Sequence, residues 1–294
     1  MTKFKKLILS SVLAIMMIIS AGCEALIDPV TELELHFIDV GQGDSTLILT
    51  PGGYSMLIDA GDNTQGENVA SYIRSLGIRR IDVLIGTHPD ADHIGGIDDI
   101  IDSFEIGDFY MPRKTHDTKT YEDVLLAAKA KGLKIKAAES DKAIAFDPDS
   151  SALFLSPENK SYPDNNAYSA VVQLTYKNSR FLLMGDAEIE NEEDMISKYG
   201  DSLSSDIIKL GHHGSATSSS EEFLDIVNPS AAVVSCAYKN KYSHPHKEIL
   251  SYLEENDIPL YRTDEQGTVV FYSDGESVSV NMEDAGSYTY RKGN

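Results

Sequence analysis

The stretch Thr87-His88-Pro89-Asp90-Ala91-Asp92-His93 places two imidazoles and two carboxylates, His88, Asp90, Asp92 and His93, within six residues. These are donors for a divalent cation. Imidazole suits zinc, manganese or iron, and carboxylate oxygens shift the preference toward harder ions such as manganese. Asp90 or Asp92 alone would also serve as a helix cap, but a cap leaves both histidines unexplained. Three further clusters offer related chemistry. Gly185-Asp186-Ala187-Glu188 supplies a carboxylate able to bridge two ions, or else the start of a helix. Gly211-His212-His213-Gly214-Ser215 supplies adjacent imidazoles for ligation or catalysis. Tyr242-Ser243-His244-Pro245-His246 supplies two more, although His246 is equally placed to begin a helix. Asn165-Asn166 reads as a turn or as a polar contact to the same site. Six of the eight histidines fall in these clusters, and His36 and His116 stand outside them.

Positioning such groups needs rigid elements, and each histidine or aspartate cluster follows an apolar run. The runs 82–86, 180–184, 206–210 and 231–235 read as buried strands whose ends share one rim. Further strand signals lie at 33–40, 46–50, 55–59, 109–111, 152–155, 170–175 and 267–272. Helical patterns lie at about 66–76, 121–131, 188–198, 220–226 and 246–255. The halves 33–150 and 151–282 each run from strands to helices, with no Pro/Gly/Ser-rich linker between them. One α+β domain of two sheets covered by helices is predicted. Asp59, at the end of Leu57-Ile58, is expected to accept a hydrogen bond from a ligand histidine rather than to ligate. The Gly41-Gln42-Gly43 stretch is not a dinucleotide fingerprint. Thr46 takes the place of its third glycine, and a strand rather than a helix follows.

Length and composition set the frame. With 294 residues and 41% hydrophobic content, the chain has enough apolar surface for a substantial core. Residues 1–22 are predicted to lie outside it: Lys3, Lys5 and Lys6 precede an apolar run to Ile19, then Ser20-Ala21-Gly22-Cys23, the pattern of an export signal. A cysteine directly after Ala-Gly resembles a bacterial lipoprotein signal, with Ser20 where an aliphatic residue is usual. Cys23 is then expected to carry lipid and to hold the exported protein on the outer face of a bacterial cell membrane. Residues 23–32 read as a tether, 33–282 as the α+β domain and 283–294 as a tail, frayed from Gly286. Cys236 lies in an apolar run and reads as a small buried hydrophobe. Formal net charge is −22. Losing the three signal lysines, with no acid among residues 1–22, makes it about −25. Such a chain has no overall attraction for nucleic acid or anionic lipid, so a polyanionic substrate must be held locally.

Taken together, the motifs resemble the metallo-β-lactamase superfamily, whose metal motif has the form His-x-His-x-Asp-His. Here it reads His88-Pro-Asp90-Ala-Asp92-His93, with aspartate for the second histidine. The stretches 37–45, 57–61, 76–96, 185–186, 211–215, 244–246 and 261–264 are similar, in order, to the C-terminal hydrolase domain of ComEC-type DNA-uptake proteins and to pneumococcal-type phosphorylcholine esterases. The resemblance implies an αββα four-layer sandwich with two divalent ions, manganese or zinc, at one edge. It assigns His88 and Asp90 to one ion and Asp92 and His93 to the other, with Asp186 bridging and His212 completing the set. Asn165 or Asn166 stands near the place of a further family histidine. Activated water would then hydrolyse a phosphodiester, with Asp92, His213 and His246 as catalytic groups and Asn165, Ser215 and His244 on the substrate. A nuclease or a wall-polymer phosphodiesterase is the favoured expectation, with nucleic acid among the partners. A lactam- or lactone-opening metallo-hydrolase and a non-catalytic lipid-anchored binding domain are the alternatives.

Overall fold

A computed structural model describes residues 30–283 and 285–293. Cys23, the signal segment and most of the tether lie outside the described residues. The first sheet is built from β1 (Leu33–Phe37), β2 (Thr46–Leu49), β3 (Ser55–Ile58), β4 (Arg80–Ile85), β5 (Glu105–Met111) and β6 (Ile135–Ala137). It is completed by β14 (Val269–Ser273) and β15 (Val278–Val280), in the order β15-β14-β1-β2-β3-β4-β5-β6. The second sheet holds β7 (Ala143–Ile144), β8 (Ser150–Ser156), β9 (Val171–Tyr176), β10 (Ser179–Leu183), β11 (Ile207–Lys209), β12 (Ala231–Val234) and β13 (Leu260–Arg262). Its order is β13-β12-β11-β10-β9-β8-β7.

The four layers follow from alternation along these strands. On β2 and β3, Ile48, Met56 and Ile58 face the second sheet, where they meet Phe154, Val172, Phe181 and Leu183. Leu47, Leu49 and Leu57 point the other way, onto helices that contribute Val69, Ile73, Ile97, Ile100 and Val124. On the second sheet Ile207 faces inward, while Ile208 and Leu182 pack under Met195, Phe223 and Leu253. Side chains with a period of two on strands that are covered on both faces give two helix–sheet layers and one sheet–sheet layer. This is the expected αββα sandwich.

Helices form where an apolar stripe recurs at helical spacing. In α1 (Gly66–Ser75) the buried positions are Gly66, Val69, Ala70 and Ile73. Two short helices that the sequence did not suggest, α2 (Ala91–Ile94) and α3 (Ile97–Ser103), follow β4 directly, with Gly95 and Gly96 between them. The first of them carries Asp92 and His93 on its single turn. Next come α4 (Lys119–Ala130), α5 (Ile189–Tyr199), α6 (Glu221–Val227), α7 (Lys247–Glu255) and α8 (Thr263–Gln266). Among the described residues, no helix is long and apolar enough to cross a membrane.

Residues 286–293, expected to fray, are bound to the body. Ser287 donates from N and Oγ to Glu265, and buried Arg262 donates to the carbonyls of Ser287 and Thr289. A polar, glycine-containing sequence carries no sign of such ties, because the partners come from β13 and α8.

Candidate metal centre

Strand ends deliver the donors to one rim. His88 follows β4, Asp186 follows β10 and His213 follows β11, and neighbouring parallel strands bring the last two together. Three imidazoles are oriented from behind. His93 Nδ1 donates to Asp59 Oδ2 at 2.8 Å, and that carboxylate also accepts from Thr87 N at 2.8 Å and Thr87 Oγ1 at 2.6 Å. His88 Nδ1 lies 3.2 Å from Thr87 Oγ1, and His213 Nδ1 donates to the Ser235 carbonyl at 2.9 Å. Each ring therefore turns Nε2 inward, the arrangement in which outer partners fix the tautomer of a metal ligand. Asp59 sits where its expected role as outer acceptor requires.

The inward atoms converge. His93 Nε2 lies 3.1 Å from Asp186 Oδ1, and His213 Nε2 lies 3.5 Å from both Asp92 Oδ2 and Asp186 Oδ2. One donor atom from each of Asp44, His93, Asp186 and His213 falls within 4.8 Å of all the others. His88 Nε2, His93 Nε2, His213 Nε2, Asp44 Oδ1 and Asp186 Oδ1 are buried without a hydrogen-bond partner. Leaving one such group unsatisfied is costly, and five facing one another need a shared partner. Three imidazole nitrogens with carboxylate oxygens are the donor set of a divalent first-row metal, so the residues fit the ion that the motif implies.

Electrostatics agree. Burial alone would make His93 and His213 less basic, but the carboxylates around them outweigh it. Asp186 and Asp59 hold His93 well above the usual imidazole range, and Asp186 and Asp44 lift His213 to about 10. Burial would likewise raise Asp186, yet His213 and His93 hold it well below the usual carboxylate range. The field that draws protons onto these rings also draws a cation. Burial, aided by His93, takes His88 down to about 4 and leaves its nitrogen lone pair free to ligate.

Backbone geometry is unusual where the histidines meet. His212 and His213 are consecutive left-handed residues, at φ 44° and 55°, between Gly211 and Gly214. Non-glycine residues in that region cost energy and persist where surrounding structure fixes them. The bend sends the two rings apart, His213 inward and His212 toward solvent. Gly43 allows a second close approach: a Cβ there would collide with the Asp92 carbonyl, and Asp44 N donates to that oxygen at 3.1 Å. This lays the loop between β1 and β2 against the metal loop and brings Asp44 into the site.

Residues 38–238 match the model of the metallo-β-lactamase superfamily. The chain belongs to the metallo-β-lactamase superfamily. Over 258 residues it is 30% identical to ComE operon protein 3 of Bacillus subtilis, covering 82% of this chain and 33% of that protein. It is 31% identical over 244 residues to competence protein ComA of Neisseria gonorrhoeae, covering 83% and 33%. These are ComEC-type competence proteins, and the chain spans about a third of their length. Among solved structures, CmlA, a diiron β-hydroxylase from Streptomyces venezuelae, superposes at a TM-score of 0.55 with 13% identity, covering 79% of this chain and 52% of CmlA. A metal-dependent hydrolase of the β-lactamase superfamily superposes at 0.50 with 13% identity, covering 78% and 95%. At such identities the likeness concerns the fold.

Within this metallo-β-lactamase site the expected residues separate. Asp92, His93 and Asp186 lie together as the motif implies. Asp90 lies at the edge, its Oδ2 3.8 Å from His88 Nε2 and its Oδ1 accepting from Asn165 Nδ2 at 3.0 Å. His213, expected to act on substrate, stands in the four-residue donor group, whereas His212, expected to ligate, does not. His212 Nε2 is 3.8 Å from Asp186 Oδ2, and its Nδ1 faces Glu188 Oε1 at 3.2 Å and Thr217 Oγ1 at 3.1 Å. Both nitrogens of His246 are engaged with backbone, Nδ1 accepting from Ala216 N and Nε2 donating to the Tyr242 carbonyl. Ser215 bonds to Thr217 within its own turn. His244 stacks on His213 and has an unpartnered Nδ1, and burial together with His213 and His212 lowers it to about 3.

A cavity of about 230 Å³ opens over the donors, and Gln42, Asn166, His212, Tyr242 and His244 line it beside Asp90, Asp92, Asp186 and His213. Sequence reasoning missed Asp44, Gln42 and Lys209. Lys209 is 2% exposed, and its Nζ lies 2.5 Å from Asp44 Oδ2. A lysine closing the apolar run Ile207-Ile208 was the available signal.

Proposed function

We propose that the chain is a two-metal phosphodiesterase that cleaves nucleic acid or a wall-linked phosphodiester. The convergence of buried, unpartnered donor atoms at the floor of a polar cavity carries the reading. Two divalent ions bound there, manganese or zinc, would lower the pKa of water and stabilise the charge that develops on phosphate oxygens. In this reading His88 and Asp90 would hold one ion and Asp92, His93 and His213 the other, with Asp186 available to both. His212 is the proton donor to the leaving oxygen: Glu188 and Thr217 fix its ring from behind, and its Nε2 faces the cavity beside Asp186. Asn166, Gln42 and His244 supply hydrogen-bonding groups suited to phosphate oxygens. The resemblance to ComEC-type DNA-uptake proteins favours nucleic acid.

The chain's negative charge works against a long polyanion, so the attraction must be local. Lys241 is next to the lining residue Tyr242, its Nζ 4.7 Å from the centre of that ring, and is the basic group we assign to this attraction. Purified protein loaded with manganese or zinc is to be tested on DNA, RNA, a chromogenic phosphodiester and a β-lactam. With DNA as substrate, cleavage should be independent of sequence and decline steeply as salt rises from about 50 to 200 mM, because phosphate contacts dominate. Salt-insensitive hydrolysis of the small ester with intact DNA would assign a wall-linked or small substrate. Hydrolysis of the lactam alone would overturn the proposal.

We also propose that Cys23 is lipidated and anchors the exported domain to the outer face of the cell membrane, on the strength of the basic–apolar–Ala-Gly-Cys order. Attachment through paired acyl chains is lasting, whereas one chain gives only reversible binding. A Cys23→Ser protein should therefore accumulate uncut or leave the membrane fraction. Normal processing with unchanged membrane attachment would rule the anchor out.

A further inference from the structure

The C-terminal segment does more than pack. Gly286 N donates to the Leu260 carbonyl at 2.7 Å and Tyr288 Oη to the Ile258 carbonyl at 2.7 Å. Arg262 grips the segment through Nη1, at 3.0 Å to the Ser287 carbonyl and 3.1 Å to that of Thr289, while Nε and Nη2 hold Asp264. Arg291 pairs with Glu265 and lies over the Tyr238 ring at 5.2 Å. The segment then reaches the loop between β12 and α7. Gly293 N donates to Ser243 Oγ at 2.9 Å, and a Cβ on Gly293 would run into the Asn240 carbonyl.

That loop carries two side chains of the cavity, Tyr242 and His244, and residues 237–246 form no helix or strand of their own. From inside it is tied by buried Asn240. The Asn240 amide nitrogen donates to the carbonyls of Ala237 and His244, and its oxygen accepts from the amides of Tyr242 and His244. From outside, the partners are Arg291 on Tyr238 and Gly293 on Ser243 and Asn240. The donors around the metal position arrive from other parts of the fold: the ends of β4, β10 and β11, the helix α2 and the loop between β1 and β2.

We infer that residues 286–293 form a positioning strap that fixes the loop bearing Tyr242 and His244, and so sets substrate fit without altering the metal ligands. The kinetic part of this inference rests on the phosphodiesterase reading; the structural part does not. Three forms of the full protein test it: Arg291→Met, Arg291→Lys, and a chain stopped after Ala285. Each is measured for amide hydrogen exchange, metal content, and kcat and KM on the chromogenic phosphodiester. Losing the ion pairs with Glu265 and Asp264 and the ring contact should speed exchange at the Tyr242 and His244 amides about fivefold to tenfold in Arg291→Met, and more in the truncated chain. Metal content and kcat should stay near wild type while KM rises by a similar factor, and Arg291→Lys should recover most of both effects. Exchange at 238–244 unchanged in Arg291→Met and in the truncated chain overturns the strap, even if melting temperature falls. Accelerated exchange with KM unchanged overturns its link to substrate fit. A wild-type protein inactive on every phosphodiester would refute the catalytic proposal, and exchange alone would then decide the strap.

Discussion

Asp186→Ala is expected to abolish both bound metal and hydrolysis. The two oxygens of Asp186 serve different neighbours, Oδ1 at 3.1 Å from His93 Nε2 and Oδ2 at 3.5 Å from His213 Nε2. Asp44 also approaches both rings, at 3.9 Å from His93 Nδ1 and 3.3 Å from His213 Nδ1, but is not among the residues lining the cavity. The backbone of Asp186 is fixed as well: the amide N donates to Ser169 Oγ at 3.1 Å, at a strand end preceded by left-handed Gly185. Changing an outer-shell partner already costs about 10- to 100-fold in metal affinity, so losing the central carboxylate should cost more than about 100-fold. Elemental analysis after stripping and reloading measures this directly, with Asp186→Asn as the isosteric control. Wild-type metal content in the Ala variant would show that the ion is held elsewhere.

The second large effect is expected at a residue that touches no substrate. Lys209 is fully enclosed; its Nζ lies 2.5 Å from Asp44 Oδ2 and donates to the Leu210 carbonyl at 3.1 Å. Burial would raise the Asp44 carboxyl, but Lys209 first and His213 next outweigh it, so Asp44 stays ionised. Lys209→Met strands that carboxylate in a dry site and should destabilise the metal-free protein by about 3–5 kcal/mol. Urea unfolding of the single and double variants gives the coupling. Adding Asp44→Asn should recover much of the loss, because the pair costs less to remove together than to break. A cost below about 1 kcal/mol for Lys209→Met would mean that His213 alone balances Asp44.

How much of this was legible depended on whether the signal was local. The metal motif, the strand ends at Asp186 and His212-His213, and the helix starting near Gly66 are short-range patterns, and the structure places them where those patterns imply. Asp44 was not legible. It follows Gly41-Gln42-Gly43, and only the contact of Gly43 with the Asp92 carbonyl brings it inward. The division of labour between His212 and His213 is also tertiary, since adjacent residues point apart only through the left-handed bend. His246 shows the converse: its type suggested chemistry, while its position as N-cap of α7 sends both ring nitrogens to backbone. The edge strands β6 and β7 are too short, at three and two residues, to leave a periodic trace.

The pairing of β1 with β14, Leu33 opposite Ser273, has a consequence for how the molecule comes into being. One neighbour of β1 is β14, far along the chain, so the larger sheet keeps an unpaired edge at β1 until β14 has been made. Contacts of such wide separation slow folding, and an open edge invites pairing with other chains. A fragment ending near residue 150 would hold the metal motif yet lack β14, β15 and all of the second sheet but β7. It should be insoluble by itself and regain solubility when the remaining half is supplied alongside it.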